Sequence, residues 1–182
     1  VSEAIYFMNH LKKYDPWWIE EPTSPDVILG HKAIADAIYP VKVATGESCQ
    51  NRIILKQLMQ AKAIDFCQLD SCRLGGVNEV LAVLLLAKQF NIPVCPHAGG
   101  VGLCEYVQHL AIIDFVCISA DLNGRVLEYI NHLHEYFMYP CEIKDAAYVL
   151  PYSYGYSGTM KKNAIETFNY PNGTYWSKST NK

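Results

Sequence analysis

Glu20, Glu47, Asp70 and His97 follow one another at intervals of 27, 23 and 27 residues. Two carboxylates suit a hard divalent cation with oxygen ligands, Mg2+ first. An Asp and a His in neighbouring positions suit a dyad in which the carboxylate orients the imidazole and raises its basicity. Each residue alone has a plainer reading, since a Glu near a Pro is often a solvated loop residue and an Asp after a strand often caps a helix. Four at a repeating interval are harder to explain that way, provided a repeating framework brings them together.

The hydrophobic pattern predicts such a framework. Helices are expected over residues 2–13, 26–38, 51–62, 77–90, 103–113 and 125–137, where apolar residues recur at three- and four-residue spacing. Short bulky runs at 17–19, 41–45, 66–69, 92–95 and 115–119 read as strands. Five strands, each followed by a helix, imply a parallel sheet with right-handed crossovers. An open doubly wound sheet and a (β/α)8 barrel both fit that order. The barrel is preferred, because its successive strand ends form a ring and Glu20, Glu47, Asp70 and His97 all fall at strand ends. The fold class is therefore α/β, about five βα units of a barrel over 1–140. Residues 141–182 form an irregular, Tyr- and Pro-rich tail, with a turn at Asn172-Gly173, packed on the barrel or on a capping domain. A full barrel needs eight strands, so the remainder is expected to precede Val1.

Composition narrows the function classes. Of 182 residues, 51% are hydrophobic and 18% charged, which suits a globular chain rather than a disordered one. Fifteen Lys and Arg against eighteen Asp and Glu give a net charge of -3, so there is no electrostatic footprint for a nucleic acid. The longest apolar run, 80–87, is too short to span a bilayer. Seven cysteines, odd in number and without a CxxC pair, read as reduced, buried thiols of an intracellular protein. His132 and His134 are expected on the surface of the last helix. Gly99-Gly100-Val101-Gly102 is read as a loop beside His97 rather than as a phosphate cradle.

The strings Trp18-Ile19-Glu20-Glu21-Pro22, Thr45-Gly46-Glu47, Leu69-Asp70 and Pro96-His97 resemble the enolase superfamily in its mandelate racemase branch. Three longer stretches resemble the L-fuconate dehydratases within it: Asp70-Ser71-Cys72-Arg73-Leu74-Gly75-Gly76, the run from Cys95 to Glu105, and Glu128-Tyr129-Ile130-Asn131-His132-Leu133-His134-Glu135. The resemblance implies an enolase-type barrel and Mg2+ held in part by Glu20 and Glu47. It also implies a dyad of Asp70 and His97, with His97 protonating a departing hydroxyl, and substrate contacts from Glu47, His97 and Glu128. Read without the resemblance, Glu128 is a solvent-facing helix residue. The implied reaction removes the proton beside a carboxylate and then expels the β-hydroxyl, turning L-fuconate into a 2-keto-3-deoxy acid through an enediolate.

The same resemblance places the family's first metal ligand, an Asp, and its Lys-x-Lys base before Val1. Lys12-Lys13 lacks that spacing and lies on a helix. The 182 residues alone are therefore expected to be inactive, the intact protein being the hydro-lyase. A rival reading makes the chain an inactive barrel fragment acting through protein contacts, and a racemase or a dehydratase for another sugar acid is a third. The expected partner is a small sugar acid, with neither nucleic acid nor membrane. Assembly into a homo-oligomer is left open, and the compartment is mitochondrial or cytoplasmic.

Overall fold

The computed structural model describes residues 1–179. It divides into two compact units, Val1–Ala98 with Ala111–Glu128, and Gly99–Leu110 with the chain from Tyr129 onward.

In the first unit the order is α1 (Ser2–Leu11), β1 (Trp18–Glu20), α2 (Ile28–Ile38), β2 (Lys42–Thr45), α3 (Arg52–Gln60), β3 (Phe66–Cys67) and α4 (Val77–Phe90). The strands lie parallel in the order β1-β2-β3. Trp18 is opposite Lys42, Glu20 opposite Ala44, and Ala44 opposite Phe66. Val94 adds a parallel bridge to Cys67, so the predicted fourth strand survives as a single bridge.

Buried side chains recur along each helix at three- and four-residue steps: Ile34 and Ile38 on α2, Leu55, Leu58 and Met59 on α3, and Val80, Val83 and Leu84 on α4. That periodicity lays one apolar stripe per helix against its neighbours. Each such side chain contributes about 1.5–3 kcal/mol by leaving water. Ala44, Phe66 and Cys95 form a strand-side cluster against Trp18, and the Trp17 and Trp18 rings each lie 5.0 Å from that of Phe66. Local chemistry sets the boundaries. Asn51 caps α3 by accepting the N–H groups of Ile53 and Ile54 at 3.0 and 3.1 Å. Asn91, left-handed at φ 55°, ends α4.

Two sequence expectations fail beyond α4. Residues 115–119 form no strand. Asp114–Ser119 is a wide helical turn that ends at a left-handed Ala120, whose N–H reaches Phe115 O at 3.0 Å. The Ser119 hydroxyl closes it on Asp114 O at 3.1 Å. A short apolar run does not by itself separate a strand from a helical turn, and here the preceding helix simply continues. Residues 125–137 form no helix either, apart from one turn at His134–Tyr136. Arg125 instead pairs with the buried Asp114, and Glu128 lies in irregular chain.

The second unit holds most of α5 (Leu103–Ile113), a two-stranded hairpin of β4 (Ile143–Lys144) and β5 (Ala147–Tyr148), and two short helices, α6 (Lys162–Phe168) and α7 (Thr174–Ser179). Asp145 and Ala146, both at positive φ, make the two-residue hairpin turn. The expected irregular tail is thus partly helical, and aromatic rings meet inside the second unit: Tyr136 and Phe168 at 5.2 Å, and Tyr170 and Trp176 at 5.4 Å. His134 is buried, contrary to expectation, whereas His132 is exposed. Five of the seven cysteines are buried, Cys72 and Cys117 are exposed, and all are free thiols. Among the described residues no helix is long and apolar enough to cross a membrane.

Candidate active site

The parallel ladder continues past the ends of the strands. Glu21 N donates to Ala44 O at 3.1 Å, Gln68 N to Thr45 O at 2.9 Å, Cys95 N to Cys67 O at 2.9 Å and His97 N to Leu69 O at 3.1 Å. These bonds line up successive carboxyl-side loops, and the expected residues follow from them.

Gly46 lets the β2 loop lie flat against the next one. It has φ 148°, and a Cβ there would fall 2.7 Å from the carbonyl carbon of Gln68. Glycine is the residue that tolerates both conditions, and Glu47 follows directly.

His97 is the centre of the cluster. Its Nδ1 donates to Asp70 Oδ2 at 2.6 Å, which leaves Nε2 directed at Glu47 Oε2, 3.5 Å away, and Glu128 Oε2, 3.7 Å away. Asp70 is buried and held in turn: its Oδ1 accepts the N–H groups of Cys72 and Arg73 at 2.6 and 2.7 Å. Glu128 Oε2 also accepts the Ala98 N–H at 2.7 Å, so the residue that looked solvent-facing in the sequence faces the imidazole. Partial burial works against charging His97. The Asp70 hydrogen bond and the charges of Glu47, Glu128 and Asp70 outweigh it, and the imidazole titrates above its ordinary range. Glu47 is displaced upward, first by burial, with Glu21, Glu20 and Glu128 adding repulsion against the attraction of His97.

Glu20 accepts from Gln68 Nε2 at 2.8 Å and from Trp18 Nε1 at 3.3 Å. Two positioning residues escaped the sequence reading. Gln68 fixes Glu20, and Glu21, at φ 40°, accepts both the N–H and the hydroxyl of Ser48 at 3.0 and 2.8 Å. The sequence signal for Glu21 was its adjacency to Glu20; Gln68 carried none.

The donor set fits a divalent cation of the Mg2+ kind. Glu20 and Glu47 are hard oxygen donors within electrostatic reach of each other and of two further carboxylates. Among the described residues no Lys or Arg is paired with either of them. Such mutual repulsion is what a bound cation relieves.

Residues 1–164 match the family described as Enolase C-terminal domain-like. L-galactonate dehydratase of Hypocrea jecorina is 56% identical over 180 residues, covering 97% of this chain and 40% of its own. The crystal structure of human mitochondrial enolase superfamily member 1 superposes with a TM-score of 0.94 at 57% identity, covering 98% of this chain and 41% of that one. The L-talarate/galactarate dehydratase from Salmonella typhimurium LT2, liganded with Mg and L-lyxarohydroxamate, superposes with a TM-score of 0.75 at 27% identity, covering 90% and 39%. The chain spans about two fifths of the length of the relatives it matches. Sugar-acid dehydratases thus recur among its relatives. With three parallel strands and a bridge at Val94 whose carboxyl-side ends and loops carry Glu20, Glu47, Asp70 and His97, this chain belongs to the enolase superfamily, in its C-terminal barrel-domain family.

Proposed function

We propose that these residues are the proton-delivering side of a Mg2+-dependent sugar-acid dehydratase centre, and that the protein's substrate is L-fuconate. The observation that carries the reading is the Asp70–His97 pair at 2.6 Å with Nε2 left facing two carboxylates. Asp70 fixes the tautomer and the plane of the imidazole, so the proton available for transfer sits on Nε2. His97 delivers it to the hydroxyl leaving the β-carbon, and the carbon–oxygen bond breaks with release of water. Glu128, anchored by Ala98, and Glu47 border that proton and accept hydrogen bonds from substrate hydroxyls. Glu20 and Glu47 would hold the cation, which when bound neutralises charge on the substrate carboxylate as the adjacent carbon loses its proton.

L-fuconate is 6-deoxy-L-galactonate, so a centre acting at its second and third carbons meets the same stereochemistry in both acids. The likeness to a fungal L-galactonate dehydratase supports a substrate of this configuration. A mitochondrial setting belongs to the same proposal and rests on the name of a relative.

The test is formation of a 2-keto acid from L-fuconate and from L-galactonate, followed by carbon NMR, with the protein isolated from its own source and Mg2+ present. His97→Asn is expected to abolish it while Mg2+ still raises the melting temperature. Turnover that survives His97→Asn removes the acid from the proposal. Conversion of L-galactonate with none of L-fuconate would overturn the substrate.

A further inference from the structure

The second unit gathers three soft ligands that are far apart in sequence: Cys104 near the start of α5, His134 in its single helical turn, and Cys141 just before β4. Their ligating atoms all lie within 4.8 Å of one another, and all three residues are buried. Cys141 Sγ is 3.4 Å from His134 Nδ1, and the two thiols are hydrogen-bonded to each other. In a tetrahedral zinc site, bond lengths of about 2.3 Å to sulfur and 2.05 Å to nitrogen put S and N ~3.5 Å apart. The spacing is already that of ligands to one ion.

Two further observations point the same way. Glu105 is fully buried, yet its Oε2 has no hydrogen-bond partner among the described residues. Its Oε1 lies 2.8 Å from His134 Nδ1 and accepts the Cys141 N–H at 3.3 Å. A buried carboxylate with an unsatisfied oxygen is costly unless a cation adjoins it. The other nitrogen of the same ring, Nε2, is 2.6 Å from Ile130 O. Metal-ligating imidazoles are oriented in this way, by donating from the nitrogen that does not bind. The Ile130 N–H lies 3.4 Å from Cys104 Sγ, placing a backbone donor against a sulfur that would carry charge.

An imidazolium–carboxylate pair alone would balance one charge. It would leave Oε2 unsatisfied and the convergence of two thiols without a reason. Thiolate and imidazole donors select a soft divalent ion and disfavour Mg2+, so this cluster is chemically distinct from Glu20 and Glu47.

We propose that Cys104, His134 and Cys141 bind a divalent cation of the zinc class through Sγ, Nδ1 and Sγ, with Glu105 completing four-coordination. Both thiols and Nδ1 of the imidazolium release their protons to solvent on binding, and the Glu105 carboxylate turns from the imidazole to the ion through Oε2, the oxygen that lacks a partner. The site is closed and structural, tying the start of α5 to the segment that leads into the hairpin.

The test uses the whole chain, purified reduced and without chelator, then desalted. Elemental analysis is expected to give about one zinc per chain, falling to background in Cys141→Val and unchanged in Glu47→Gln. In metal-free wild type, Co2+ is expected to produce the absorption bands of a tetrahedral thiolate complex. Zn2+ is expected to shield Cys104 and Cys141 from alkylation while Cys72 and Cys117 react. These last two readouts need no variant to fold. Zinc lost in Glu47→Gln but kept in Cys141→Val would overturn the proposal. So would a folded, reduced chain that binds neither Co2+ nor Zn2+.

Discussion

Asp70 splits its carboxylate between His97, whose Nδ1–H it accepts through Oδ2, and the N–H groups of Cys72 and Arg73, which it accepts through Oδ1. One side chain thus builds the loop and sets the tautomer of the proposed acid. Asp70→Asn can keep the Oδ1 bonds, but its amide would donate toward Nδ1 and leave the imidazole in the wrong tautomer. Turnover is expected to fall ~10²–10⁴-fold, the usual range for an acid–base group, with the urea midpoint nearly unchanged. Asp70→Ala loses the loop bonds as well and should cost about 2 kcal/mol of stability. Equal turnover in Asp70→Asn and the unaltered protein would show that the pair only builds the loop.

The crowding of carboxylates around Glu47 should cost stability when no cation is present. Glu47→Gln removes one charge from a group that burial and Glu21, Glu20 and Glu128 already disfavour. Its metal-free form is expected to be slightly more stable, by less than ~0.5 kcal/mol, because the Glu47 side chain is 36% exposed and solvent screens the repulsion. Added Mg2+ should then raise the melting temperature of the unaltered protein and not that of the variant. A Mg2+ shift of equal size in both would separate Glu47 from the cation.

Gly46→Ala tests how closely the loops after β2 and β3 approach. The new Cβ would overlap the backbone of Gln68, and φ 148° strains any side chain. A loss of about 3 kcal/mol is expected in urea unfolding. A loss under about 0.5 kcal/mol, the level of an ordinary surface change, would mean the loops separate without penalty.

His31 predicts acid sensitivity away from the site. It is fully buried on α2, with Nδ1 donating to Val27 O at 3.1 Å. Burial lowers its pKa from 6.5, against raising contributions from the Val27 bond and Glu21. The unfolded chain therefore binds this proton more readily than the folded one. The stability linked to it is complete above pH 6.5 and declines as pH falls below that value. His31→Gln should flatten the dependence of the melting temperature on pH between about 7 and 5, a window around the reference value for histidine. Parallel curves for the two proteins would assign the acid sensitivity elsewhere.

The strand ends were legible in the sequence because their residues carry both a chemical type and an interval. Glu20, Glu47, Asp70 and His97 needed only a βα repeat to bring them together, and α4 could be bounded because its apolar stripe is long. The run 115–119 was not legible, since a short apolar stretch suits a strand and a helical turn alike. Residues 125–137 have helical spacing, but Arg125 and Glu128 are taken by Asp114 and Ala98. Those are tertiary partners, and periodicity does not see them. Cys104, His134 and Cys141 meet without any motif spacing, so only the folded chain brings them into view.

The register of β1 on β2 bears on where this chain can change length. With Glu20 opposite Ala44 and Thr45 opposite Cys67, the placement of Glu47 depends on the count of residues from Lys42. One residue inserted or deleted between 42 and 47 would turn the loop through half a pleat and send the carboxylate to the other face. Length changes between α2 and β2 enter before that count begins. Related sequences should therefore tolerate gaps behind the strands and exclude them over these six positions.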